Sequence, residues 1–179
     1  MSMLLKSIAS IAVLMCVSSV LLLAAESQST KPIPKKQWGK PTEGFQISAS
    51  TDKETYDVCE AINLTLILKN SGKGDAETWS ALVFDQTYRV EVILPTKKKA
   101  PLTLWGKRQS DLGIMQRAVT TLKENKTETK SIPRLNQLFD MSIPGEYTIV
   151  VERTLSPRAD GTKYCRVTSN TVVVKITED

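Results

Sequence analysis

The stretch FDMSIPGEYTIVVER, Phe139 to Arg153, decides how this chain is read. A Pro-Gly corner at Pro144 and Gly145 runs directly into side chains that alternate in character. Tyr147, Ile149 and Val151 share one face, while Glu146, Thr148, Val150 and Glu152 share the other. A repeat of two residues is the mark of a strand with one face in a core, whereas a helix repeats every 3.6. Pro144, Gly145 and Tyr147 are therefore expected to form a structural corner that starts and anchors this strand.

The same rhythm recurs on both sides. Phe45, Ile47 and Ala49 alternate with polar residues, and Ile62, Leu64, Leu66 and Leu68 do so more strictly. Tyr88, Val90, Val92 and Leu94 form another such face, closed by Pro95, which cannot donate to a central ladder. Val172, Val174 and Ile176 form the last. Asn70 to Asp75 and Ser156 to Gly161 are turn-forming breaks.

Weaker signals predict a short strand at Leu102, Leu104 and Trp105, and a hairpin of 119–122 with 127–132 around Lys123 to Lys126. Residues 76–87 are ambiguous, with Trp79, Leu82 and Phe84 expected at the core or its rim. Residues 107–117 show little beyond one short helical turn. Seven to eight short strands without a long helix predict an all-β chain, an antiparallel β-sandwich over 44–179.

Residues 1–25 read as a signal peptide: Lys6, an apolar run from Ile8 to Leu23, then Ala24-Ala25 before Glu26. Cleavage after Ala25 is expected, with an uncleaved anchor as the alternative and then the only membrane contact. Residues 26–43 carry Pro32, Pro34 and Pro41 among lysines and read as a solvated linker. This organisation implies export to the periplasm, the cell surface or the medium.

Composition narrows the chemistry. The chain has no histidine, which removes Ser-His-Asp and Cys-His nucleophiles and His-containing zinc sites. The net charge of +5 comes largely from Lys35, Lys36, Lys40 and the loop run Lys97 to Lys99, and only 6% of residues are aromatic. Nucleic-acid binding calls for a basic stripe interleaved with aromatics, so none is expected. Asp57, Cys59 and Glu60 are the one tight group of metal-type ligands and read as turn residues. The sequence implies no catalytic set, no cofactor and no metal.

Several of these segments together resemble a family. Tyr56 to Glu60, the alternating run to Asn70-Ser71-Gly72, Pro144-Gly145-Glu146-Tyr147 and Ser169-Asn170-Thr171-Val172 resemble single-domain Ig-like modules of secreted bacterial proteins of uncharacterised function. The resemblance implies a tyrosine corner, with the Tyr147 phenol bonded to backbone a few residues upstream. It also places Cys59 where such modules usually carry glycine. A shorter run, Tyr88-Arg89-Val90-Glu91-Val92, is similar to BsuPI-type proteinase inhibitors.

Without the signal, Cys59 and Cys165 form a candidate disulfide, favoured by an even count in an oxidising compartment. An Ig-like strand order opposes it, because the two cysteines would begin strands at opposite ends of the sandwich. The function implied is a non-catalytic exported module that binds a protein or cell-envelope component through loops or an exposed sheet edge. The alternative is a proteinase inhibitor.

Overall fold

The computed structural model describes residues 37–81, 87–111, 117–155 and 164–178. The signal segment, most of the linker, Leu82 and Phe84 lie outside these residues, as does the Trp79 side chain. In chain order the elements are β1 (Phe45–Thr51), β2 (Thr55–Asp57), β3 (Leu64–Asn70), β4 (Ala76–Ala81), β5 (Arg89–Ile93) and α1 (Leu104–Asp111). There follow β6 (Arg117–Leu122), β7 (Thr127–Ile132), α2 (Leu135–Leu138), β8 (Gly145–Leu155), β9 (Cys165–Thr168) and β10 (Val172–Thr177).

One sheet has the order β1-β3-β7, and a second has β2-β10-β8-β5 with β9 also on β8. The alternation seen in the sequence is the reason they pack. Leu64, Leu66 and Leu68 of β3 and Tyr147, Ile149 and Val151 of β8 are fully buried in one cluster, with Val90 packed against it. Each such side chain contributes about 1.5–3 kcal/mol by leaving water. The molecule is an Ig-like β-sandwich, antiparallel among the described residues except where β2 runs parallel to β10 and at a parallel bridge between Ile47 and Ser169.

Two expectations are corrected. Leu104 and Trp105 belong to helix α1, not to a strand. Thr103 caps it, its hydroxyl accepting the Gly106 N–H at 3.0 Å, and this local bond outweighs a brief alternation. Residues 119–122 and 127–132 are strands joined by a turn at Lys123–Lys126, yet they do not pair with each other. β6 pairs with β4, and β7 with β3. Among the described residues there are ten strands, of which β2, β4 and β9 are too short or too polar to alternate visibly in the sequence.

Between β9 and β10 the edge carries one extra residue. Thr168 faces Glu152 and Val172 faces Ile149, so Ser169 to Thr171 oppose only Val150 and Val151. This is a β-bulge, and it redirects its side chains. Ser169 exchanges bonds with the Val151 backbone (3.0 and 2.8 Å). Asn170 reaches the other sheet: its Oδ1 accepts the Ala49 N–H at 2.7 Å, and its Nδ2 donates to the Ala49 carbonyl at 3.0 Å. A side-chain amide thus takes the place of a strand partner for β1.

Ordered contacts begin ahead of Gly44. The Gly39 N–H donates to the Ile47 carbonyl at 2.9 Å, and Thr42 bonds reciprocally with Phe45 at 2.9 and 2.8 Å. A Cβ on Gly39 would stand 2.0 Å from the Thr168 carbonyl oxygen, so only glycine lets this segment lie against the bulge.

Candidate functional site

The chain enters β8 at Gly145, beside Pro144 and Tyr147. The Tyr147 hydroxyl donates to the Ile143 carbonyl at 2.6 Å and accepts the Ile143 N–H at 3.2 Å. Gly145 takes φ +136, and a Cβ there would lie 2.7 Å from the Pro95 ring. Pro95 therefore packs on the corner as well as ending β5. Burial raises the Tyr147 phenol's pKa, with Asp140 adding to it against the lowering effect of the Ile143 bond.

The Cys59–Cys165 bridge is not formed; both thiols are free, Cys59 exposed and Cys165 buried. Residue 57 pairs with residue 177 at the far end of β10, whereas Cys165 opens β9. An extended edge of that length spans roughly 35 Å, far beyond the roughly 7 Å that a disulfide allows. Cys59 has φ +71, a left-handed backbone that favours the glycine the resemblance anticipates. Cys59→Gly should raise stability by about 1 kcal/mol, since a side chain in this region costs about 1–2 kcal/mol. Urea midpoints of the two forms under reducing conditions check this, and Cys59→Ala should show no gain.

The turn around Cys59 is held by pairs. Glu60 is bonded to Lys53 and accepts the Asp57 N–H at 3.1 Å, and Asp57 meets the Thr177 hydroxyl at 3.3 Å. Nearby, the Tyr56 hydroxyl donates to the Asp52 carboxylate at 2.7 Å. Burial first, and that carboxylate second, push the Tyr56 phenol up to about 12. A folded-state value above the unfolded one of about 10 gives stability that is present below pH 10 and lost as pH rises toward 12. Urea midpoints across that window should fall by an amount on the order of 2 kcal/mol, and Tyr56→Phe should flatten the slope.

A sheet edge must satisfy, cover or expose its backbone groups. The edge of β1 is closed by Gly39, Thr42 and Asn170, as described above. β7 is polar along its exposed length, with Thr127, Thr129 and Ser131 facing solvent. The edge of β5 behaves differently. The Val92 carbonyl accepts the Ala100 N–H at 2.8 Å, and the Leu94 N–H donates to the Lys98 carbonyl at 2.8 Å. Even-numbered residues of this strand therefore turn their backbone groups away from β8.

Val90 faces the same way, and among the described residues nothing pairs with its N–H or C=O on that side. The covering segment leaves the edge at Pro101, after which Leu102 bridges to Phe139 and the Thr103 N–H bonds to Leu138 at 3.0 Å.

A cleft of about 370 Å³ opens at this point, lined by Arg89 and Val90 of β5, Leu102, Leu138 and Phe139, with Gly106, Gln109 and Ser110 of α1. Its size falls in the ordinary range for ligand clefts. A Cβ on Gly106 would sit 2.1 Å from the Leu138 carbonyl oxygen, so glycine is what lets α1 lie against α2. Leu104 and Trp105 of the same helix are 79% and 53% exposed. No signal in the sequence marked this cleft, because it depends on a capped helix and a polar short one meeting a strand distant in sequence.

No protein-family model and no curated protein matches the chain. Among solved structures, the C-terminal domain of Wzt is similar with 7% identity and TM-score 0.47, covering 82% of this chain and 80% of that one. A CARDB domain from Pyrococcus furiosus, in complex with di-metal ions, has 9% identity and TM-score 0.38 over 74% of this chain and 87% of its own. The seventh PapD-like domain of human CEP192 has 14% identity and TM-score 0.37 over 84% of this chain and 97% of its own. At such identities the likeness is one of fold alone.

Proposed function

We propose that this chain is an exported, non-catalytic Ig-like module that binds a protein or cell-envelope component. The observation that carries the reading is the β5 edge: backbone groups of Val90 open onto an apolar cleft beside the exposed Leu104 and Trp105. Contiguous exposed apolar surface beside an unpaired strand edge is characteristic of interaction sites. The composition supports the non-catalytic part, since a chain without histidine lacks the commonest general base.

The test is a pull-down from the envelope fraction with the full chain, run beside Trp105→Ala. Exposed tryptophans at interfaces are frequent hot spots, so the variant should lose its partner while keeping its thermal midpoint. Equal recovery by both forms, or no recovery by either, would overturn this placement of the site. A protease panel incubated with the same protein tests the inhibitor reading, and stoichiometric inhibition would replace the simple binding module. Tyr88 and Val92, which carry that likeness, are buried in the sandwich.

A further inference from the structure

We infer that the β5 edge takes an extended segment of a protein partner as an added strand, a segment whose side chains alternate between apolar and acidic. This rests on the binding-module reading and states its chemistry. The Val90 N–H and C=O point into the cleft with no partner among the described residues, while the same edge two residues on is already paired by Lys98 to Ala100. The chain thus supplies its own added strand over half of β5 and withdraws it after Ala100: Leu102, next in that register to face Val90, makes no backbone bond to it among the described residues, and Pro101 and Thr103 bond to Asp140 and Leu138 instead. An incoming backbone can make the bonds to Val90 that Leu102 does not.

The period of a strand then divides the occupant's side chains between two environments. Those on the Val90 side meet Leu102, Leu138 and Phe139, all apolar. Those on the other side lie beside Arg89, the one charged side chain lining the cleft among the described residues. On the same outward face Glu152, the cross-strand partner of Arg89, lies 4.0 Å from Arg166, and the nearby Glu91 is already paired to Lys99 at 2.9 Å. Acidic residues at alternate positions match that charge.

Two other occupants fit less well. The chain's own residues 26–36 hold Lys31, Lys35 and Lys36 against Glu26, and Pro32 and Pro34 lack N–H groups. A second copy would have to bring its β5 past its own α1 and α2. A free peptide segment meets neither obstacle.

The probe is a fluorescein-labelled eight-residue peptide of alternating valine and glutamate, followed by anisotropy with the full chain. Two control peptides accompany it: one with lysine in place of glutamate, and one N-methylated at alternate residues to remove N–H donors. The valine–glutamate peptide should bind saturably and at least tenfold tighter than either control. Arg89→Glu, at an exposed position, should keep the circular dichroism and thermal midpoint and invert the preference toward the lysine peptide.

No saturable binding up to about 1 mM, an affinity of only about 4 kcal/mol, overturns the inference. So does equal binding of the N-methylated peptide, or an Arg89→Glu variant with unchanged preference. If the peptides fail while Trp105→Ala still abolishes the envelope pull-down, strand addition is wrong and the binding module stands. If both fail, the module reading falls with it.

Discussion

Arg153→Ala is expected to destabilise the domain by about 3–5 kcal/mol, lowering the thermal midpoint by an amount on the order of 10 °C. Arg153 sits on the inward face of β8, 1% exposed, between Val151 and Leu155. One guanidinium nitrogen donates to the Tyr88 hydroxyl at 2.7 Å and lies 3.4 Å from a Glu128 carboxylate oxygen. The guanidinium also stands over the Tyr88 ring, 4.8 Å from its centre. Truncation leaves a cavity and strips the fully buried Tyr88 hydroxyl of that donor, a loss that costs far more than the net worth of the bond.

Replacing both polar ends, Arg153→Met with Tyr88→Phe, should recover more than half of the lost stability, because apolar groups of similar volume then fill the space. Thermal and urea unfolding of the two single variants and the pair measure the coupling directly. A single Arg153→Ala variant within about 0.5 kcal/mol of the parent would mean that the side chain lies at the surface.

Asn170→Ala should cost about 3 kcal/mol, with no change in the number of buried apolar groups. Ala49 is 3% exposed, and its N–H and C=O face away from β3 and are both satisfied by the Asn170 amide. Each buried backbone group left without its partner costs about 1–3 kcal/mol. Asn170→Asp is the informative companion. Its carboxylate keeps the acceptor for the Ala49 N–H and loses the donor for the carbonyl, so its loss should fall between those of alanine and the parent. Urea midpoints of the three proteins rank them, and equal stability of alanine and asparagine would remove the bulge as the link between the sheets.

These two sites show how far the sequence could be read. Alternation placed β1, β3, β5, β8 and β10 and their buried faces, because each contrasts apolar and polar side chains over several residues. The inward face read from the sequence stopped at Val151, although the same parity continues to Arg153, because a guanidinium at a core position reads as the end of a pattern and not as part of it. Its partner Glu128 is 25 residues away in β7, a pairing fixed by packing and invisible in local order. The corner was legible because Pro144, Gly145 and Tyr147 are adjacent, and the left-handed Cys59 because its turn has a recognisable frame.

The Asn170 link and the β5 cleft were not legible. Both arise where residues distant in the chain meet, one across a bulge and one where Pro101 turns the backbone aside. The misread helix α1 belongs with them: Thr103 capped a segment whose apolar residues, Leu104 and Trp105, face outward and so gave no helical period.

The proposed binding site depends above all on one open stretch of strand edge. Residue-resolved amide hydrogen exchange of the full chain tests it along β5. Glu91 and Ile93, turned toward β8, should exchange slowly, as should Leu94, whose N–H is taken by Lys98 at 2.8 Å. Val90, in the middle of the same strand, should exchange at least a hundredfold faster than Glu91, a difference of about 2.7 kcal/mol in protection. A Val90 amide as well protected as its neighbours in the free protein would show the edge already filled and contradict the account.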